Sequence, residues 1–101
     1  MGFSRMLCRD HVIQRLLTLK PHLKKHYQIS DIGLFGSVAR GQNSMGSDLD
    51  IVVKMPANLL KRVHLKQELE ATLDCEVDVI RYWEGMNPHL KTAIDRDVIY
   101  V

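Results

Sequence analysis

The segment Asp48-Leu49-Asp50-Ile51-Val52-Val53 constrains the fold more than any other part of the chain. It ends in β-branched residues and opens with carboxylates alternating with apolar side chains, which predicts a strand over 48–53. Successive side chains of a strand point to opposite faces. Asp48 and Asp50 therefore share one face, and Leu49 and Ile51 share the other. Residues 76–81, Glu-Val-Asp-Val-Ile-Arg, alternate in the same way. Val77 and Val79 fall on one side, Glu76 and Asp78 on the other. Between the two strands, residues 58–73 read as a long helix with Leu65, Leu69 and Leu73 four apart, although Arg62 and Lys66 intrude on that stripe.

The rest of the chain follows the same alternation of elements. Residues 10–27 read as helix, with Val12, Ile13, Leu16, Leu17, Leu19 and Leu23 on one face. Pro21 predicts a kink or break there, starting a last helical turn. Residues 29–35 read as a strand running into Gly36, 37–41 as a short helical turn and 42–47 as a polar loop. Asn87-Pro88 has the form of a helix start, with Asn as cap and Pro in the first turn, leading to about Asp95. Residues 98–101 add a short last strand. The expected class is α/β (α+β): a mixed β-sheet flanked by helices, with residues 1–101 forming one domain.

Composition narrows the class further. The chain is 46% hydrophobic and 26% charged, ordinary for a folded domain and unlike a disordered one. Two cysteines, Cys8 and Cys75, are too few for a disulfide scaffold or a cysteine zinc site. The net charge of +2 is too mild to mark a nucleic-acid binder. Residues 1–30 hold six cations and one acid, and the remainder eight cations and eleven acids. That positive third reads as the solvated face of an amphipathic helix. No apolar run is long enough to span a bilayer, and the N-terminus lacks the pattern of an export signal, so a cytoplasmic location with free thiols is expected. The histidines lack metal-ligand spacing; His22 and His26 are four apart but have no third ligand. Tyr82 and Trp83 are expected in ordinary packing, and Cys75 as a small packing residue.

The chemistry concentrates in Gly36-Ser37-Val38-Ala39-Arg40-Gly41 and the following Ser47-Asp48-Leu49-Asp50. A strand that ends in Gly-Ser before a helical turn leaves backbone N–H groups unpaired, and glycine lets a ligand approach them closely. Such a terminus suits phosphate, with the Ser37 hydroxyl as a further donor. Two aspartates on one strand face repel unless a hard divalent cation shares them, and Mg²⁺ also favours substrate phosphates. Asp78 supplies a third carboxylate if its strand is a neighbour. That set suits two-metal phosphoryl or nucleotidyl transfer. Gly41 to Ser47 has the glycine spacing of a P-loop, but Ser47 stands where the lysine is required, which excludes a Walker-type NTPase.

Gly-Ser, ten residues, then Asp-x-Asp resembles the signature of the DNA polymerase beta-like nucleotidyltransferase superfamily. The fuller string, Gly36-Ser37-x-Ala39-Arg40-Gly41 through Ser47-Asp48-x-Asp50, resembles its minimal nucleotidyltransferase (MNT) branch over nearly the whole chain. The resemblance implies that fold, with Gly36, Ser37, Arg40 and Ser47 as nucleotide-binding positions. It implies Asp48, Asp50 and Asp78 as catalytic metal ligands holding Mg²⁺, two ions in all, with Asp78 activating the attacking hydroxyl. Arg40 either contacts phosphate or braces the aspartate loop. Glu76 shares the face of Asp78, and a register change would exchange them.

The resemblance also implies a function. Stand-alone MNT proteins pair with HEPN-domain RNase toxins as antitoxins and move AMP from ATP to a toxin tyrosine. The expected partners are therefore ATP and a HEPN toxin, with neither membrane nor nucleic acid as substrate. Two alternatives stay open: a non-catalytic binding module that masks its partner, and nucleotidyl transfer to a small molecule such as an aminoglycoside.

Overall fold

The computed structural model describes residues 9–41 and 49–101. Its elements are α1 (Arg9–Tyr27), β1 (Asp31–Phe35), α2 (Gly36–Ala39), β2 (Leu49–Lys54), α3 (Leu59–Leu73), β3 (Val77–Arg81), α4 (Pro88–Asp97) and β4 (Ile99–Tyr100). The four strands form one mixed sheet in the order β3-β2-β1-β4. β2 and β3 are parallel, as a strand-helix-strand crossover through α3 requires. β1 runs antiparallel to both β2 and β4. The expected α+β architecture is the one observed.

α3 forms where its leucines predict it. The Asn58 side chain accepts from the Lys61 N–H at 3.0 Å and caps its start. Asp74, in the left-handed conformation at φ 57°, ends it by donating to the Glu70 carbonyl. Leu65 and Leu69 are fully buried against the sheet. Each contributes about 1.5–3 kcal/mol through burial. Arg62 and Lys66 stay half-buried at the margin of that stripe.

α1 forms over the expected residues, without a break at Pro21. It continues through Pro21 as a single helix. The hydrogen bond lost at proline would have reached the carbonyl of Leu17, whose residue is half exposed, so water can take its place. Leu16 and Leu23, fully buried on either side, anchor both halves to the same core. Glu68 of α3 locks the two helices together. It accepts from the Tyr27 hydroxyl at 2.7 Å and pairs with His22 at 2.7 Å.

Strand alternation divides the core in two. Ile51, Val53, Val77 and Leu34 pack beneath α1 and α3. Phe35, Val52, Ile80, Met86 and Ile94 pack on the opposite face, beneath α4. α4 opens as expected at Asn87, whose side chain accepts from the His89 and Leu90 N–H groups. No helix among the described residues is long and apolar enough to cross a membrane.

Candidate functional site

Three chain segments meet where β1 ends and where β2 and β3 begin. Phe35 stands opposite Asp50 in the antiparallel pair, and Asp50 stands opposite Asp78 in the parallel pair. Register partners share a face, so both carboxylates lie on the α4 side of the sheet, on adjacent strands about 4.8 Å apart. Asp50 is half-buried and Asp78 exposed. Like charges directly opposite one another destabilise a sheet unless something shares them.

Gly36 begins α2 immediately after β1 and has φ +80°, a conformation that suits glycine. It is required for a second reason. A Cβ built there would collide with the Asp50 carboxylate, lying 3.1 Å from its Cγ as well as against Oδ2. The missing side chain is therefore what lets the carboxylate sit against the backbone of the Gly-Ser turn. Ser37 follows, half-buried in the first turn of α2.

α2 has only four residues, too few to hold itself together. Val38 and Ala39 anchor it in the core. Two long-range contacts complete its support. Arg9 of α1 donates to the Ala39 carbonyl at 3.3 Å. Arg40 donates to the Asp97 carboxylate at 2.7 Å, bracing α2 against the end of α4. Hydrogen bonds from Arg96 and then Arg40 hold the Asp97 carboxyl below the usual carboxylate range. Sequence spacing gives no signal for Arg9 or Asp97, because each lies at least 30 residues from its partner.

The strand register separates Asp78 from Glu76. Asp78 is the residue opposite Asp50; Glu76 precedes β3 and contributes its carbonyl to the Leu49 N–H at 3.0 Å. Beside them, Lys66 has its ammonium pKa raised chiefly by its hydrogen bond to Glu70, with smaller contributions from Asp78 and Glu76. Asp48 and Ser47 lie outside the described residues. Among the described residues no three His, Cys, Asp or Glu side chains group closely enough to hold a metal. The described part of the site thus offers two carboxylates, a donor set that fits a hard, oxygen-seeking cation.

One expectation fails nearby. Trp83 is 48% exposed and does not join ordinary packing. Its ring lies over Gly85, with the Arg81 guanidinium 5.7 Å from the ring centroid. Tyr82 is half-buried and donates to Asp95 at 2.8 Å.

A family model described as polymerase beta, nucleotidyltransferase, matches residues 18–101, a span that contains Gly36, Ser37, Asp50 and Asp78. The chain belongs to that nucleotidyltransferase family. Among its relatives is the protein adenylyltransferase MntA of Thermococcus cleftensis, 34% identical over 98 residues, covering 95% of this chain and 98% of the relative. Among solved structures, one named provisionally as a minimal nucleotidyltransferase is 29% identical. Its TM-score is 0.76, over 92% of this chain and 95% of that one. A chain from a toxin–antitoxin crystal structure with AMP-PNP is 25% identical at a TM-score of 0.66, covering 93% and 72%. The nucleotidyltransferase reading and its MNT branch, drawn from the motif string, agree with all three.

Proposed function

We propose that this nucleotidyltransferase is an antitoxin enzyme that moves AMP from ATP to a tyrosine hydroxyl of a HEPN-domain toxin. The observation that carries the reading is the contact line Gly36–Asp50–Asp78. The Gly36-Ser37 turn abuts one carboxylate, and a second carboxylate stands in register beside it. The adenylyltransferase name of the Thermococcus relative and the toxin–antitoxin assembly of the solved neighbour support the choice of acceptor.

In this reading Gly36 and Ser37 hold the triphosphate, with Ser47 and Arg40 as further nucleotide contacts. Asp48, Asp50 and Asp78 hold divalent metal, two Mg²⁺ ions in the family arrangement. When bound, the metal supplies charge neutralisation at the reacting phosphates. Asp78, the more exposed carboxylate, orients the acceptor hydroxyl and takes its proton. The hydroxyl oxygen forms its bond to the α-phosphorus as the bond to the β-phosphate breaks, and pyrophosphate leaves. Positioning provides much of the acceleration, since α2 is held from both sides by Arg9 and by Asp97 through Arg40.

The test is incubation with α-labelled ATP, Mg²⁺ and the product of the neighbouring gene. Label on a partner tyrosine, with equimolar pyrophosphate, is the expected outcome. A stable complex without label would replace the enzyme with a masking module. Label on a small molecule alone would move the acceptor class.

A further inference from the structure

We infer that the outer edge of β3 is a docking site that takes an extended, acidic segment of a partner protein as an added strand. β3 is an edge strand, paired on one side only. The hydrogen bonds at its two ends fix which backbone groups face outward. The Glu76 carbonyl accepts from Leu49, and the Tyr82 N–H donates to Val53. In a parallel ladder alternate residues bond to the same neighbour, so residues 76, 78, 80 and 82 face β2. Val77, Val79 and Arg81 therefore present their main-chain groups outward. The Val77 N–H is taken by Glu70 Oε2 at 3.1 Å. Among the described residues nothing accepts from the N–H of Val79 or Arg81.

The surface beside those two groups is a groove of about 360 Å³. Val79, Met86, Leu90 and the half-exposed Trp83 give it apolar walls. Gly85 leaves room for the Trp83 ring, which any side chain there would strike. A large, half-exposed aromatic is suited to anchor a partner. Arg62 and Arg81 also line the groove, and no carboxylate does. Arg81 is held by its bond to the Met55 carbonyl at 2.8 Å. A free strand edge supplies main-chain affinity, and the flanking pocket selects alternate side chains. Two guanidinium groups select carboxylates among them.

The edge also adjoins the site. Val79 follows Asp78, so a strand added at about 4.8 Å from β3 would pass close by that carboxylate. On the proposed transfer reading, this edge would hold the acceptor protein while its hydroxyl reaches Asp78. Docking itself requires neither ATP nor metal.

The probe is a display library of random eight-residue peptides selected on the full chain. Enrichment of sequences alternating Asp or Glu with apolar residues is expected. The best synthesised peptide should slow amide exchange at Val79 and Arg81 by about tenfold or more, leaving Asp78 and Ile80 unchanged. Arg62→Glu should weaken binding by about tenfold through charge reversal. Val79→Pro should abolish it by removing the outward N–H, with some loss of melting temperature because the Val79 side chain packs against the core. If that variant unfolds, Arg62→Glu and the exchange pattern decide. Enrichment of basic or uncharged peptides, no enrichment, protection elsewhere, or a dimer whose β3 edge is already protected would each overturn the proposal. Asp50→Asn should leave peptide binding intact, so a failure of docking and a failure of nucleotidyl transfer are told apart.

Discussion

The two faces of the sheet are built from the same strands and do different work. The face beneath α1 and α3 buries fifteen of the described hydrophobic residues in one cluster. The face beneath α4 buries four, and alongside them it carries Asp50 and Asp78. One face is closed and supplies stability. The other carries both described site carboxylates, where on the proposed reading a nucleotide and an acceptor would meet. The difference follows from cover: two long helices pack one side, and one ten-residue helix packs part of the other.

Asp50→Asn is the sharpest way to test that division. Transfer of AMP should fall by about a thousandfold or more in single-turnover assays with labelled ATP. Stability in urea should change far less than the rate does, since the amide keeps the volume of the side chain beside Gly36. An unaffected rate would break the comparison at its functional side. On the closed face, Leu65→Ala should cost about 2–5 kcal/mol in urea unfolding. The folded fraction should retain its transfer rate. A large loss of rate per folded molecule would mean that the two faces are not separable.

Gly36→Ala joins the two effects. The left-handed backbone should cost about 1–2 kcal/mol. Transfer should fall by much more than stability, because the new methyl displaces the Asp50 carboxylate. Equal losses in both would make Gly36 a structural residue only.

The smallest effect compares the faces at high pH. Burial, together with the bond to Glu68, pushes the Tyr27 hydroxyl beneath α1 up to about 12. On the α4 side, the bond to Asp95 does the same for Tyr82, also to about 12. A raised folded pKa favours the protonated form. The stabilisation is therefore complete below pH 10 and disappears as the pH rises towards 12. Ultraviolet titration should show both tyrosines ionising above the usual value of 10. Glu68→Gln should lower the Tyr27 midpoint and leave that of Tyr82 unchanged.

The sequence made much of this legible because the signals were local. Alternation in 48–53 and 76–81 set Asp50 and Asp78 opposite the apolar face of their own strands. The leucine spacing set α3, and Asn87-Pro88 set the start of α4. The sequence left a break at Pro21 open because the cost of a missing hydrogen bond depends on whether its acceptor faces water, and the pattern of one helix does not show that. Trp83 misled because aromatic residues usually pack, whereas its exposure depends on how Gly85 and Arg81 meet around it. Arg9 and Asp97 carried no signal, since their partners are distant in the chain.

The sequence by itself determined the elements, the fold class, and the Gly36-Ser37 and Asp-x-Asp residues that mark the family. These depend on periodicities of two and near four and on short fixed spacings. Only the tertiary structure decided that Asp78 rather than Glu76 faces Asp50, that the Asp50 carboxylate occupies the space a Gly36 side chain would fill, and that Arg40 braces α2 against α4. Each is a matter of register or approach between segments remote in the chain. Such contacts are selected by how the whole core packs, which no local pattern encodes.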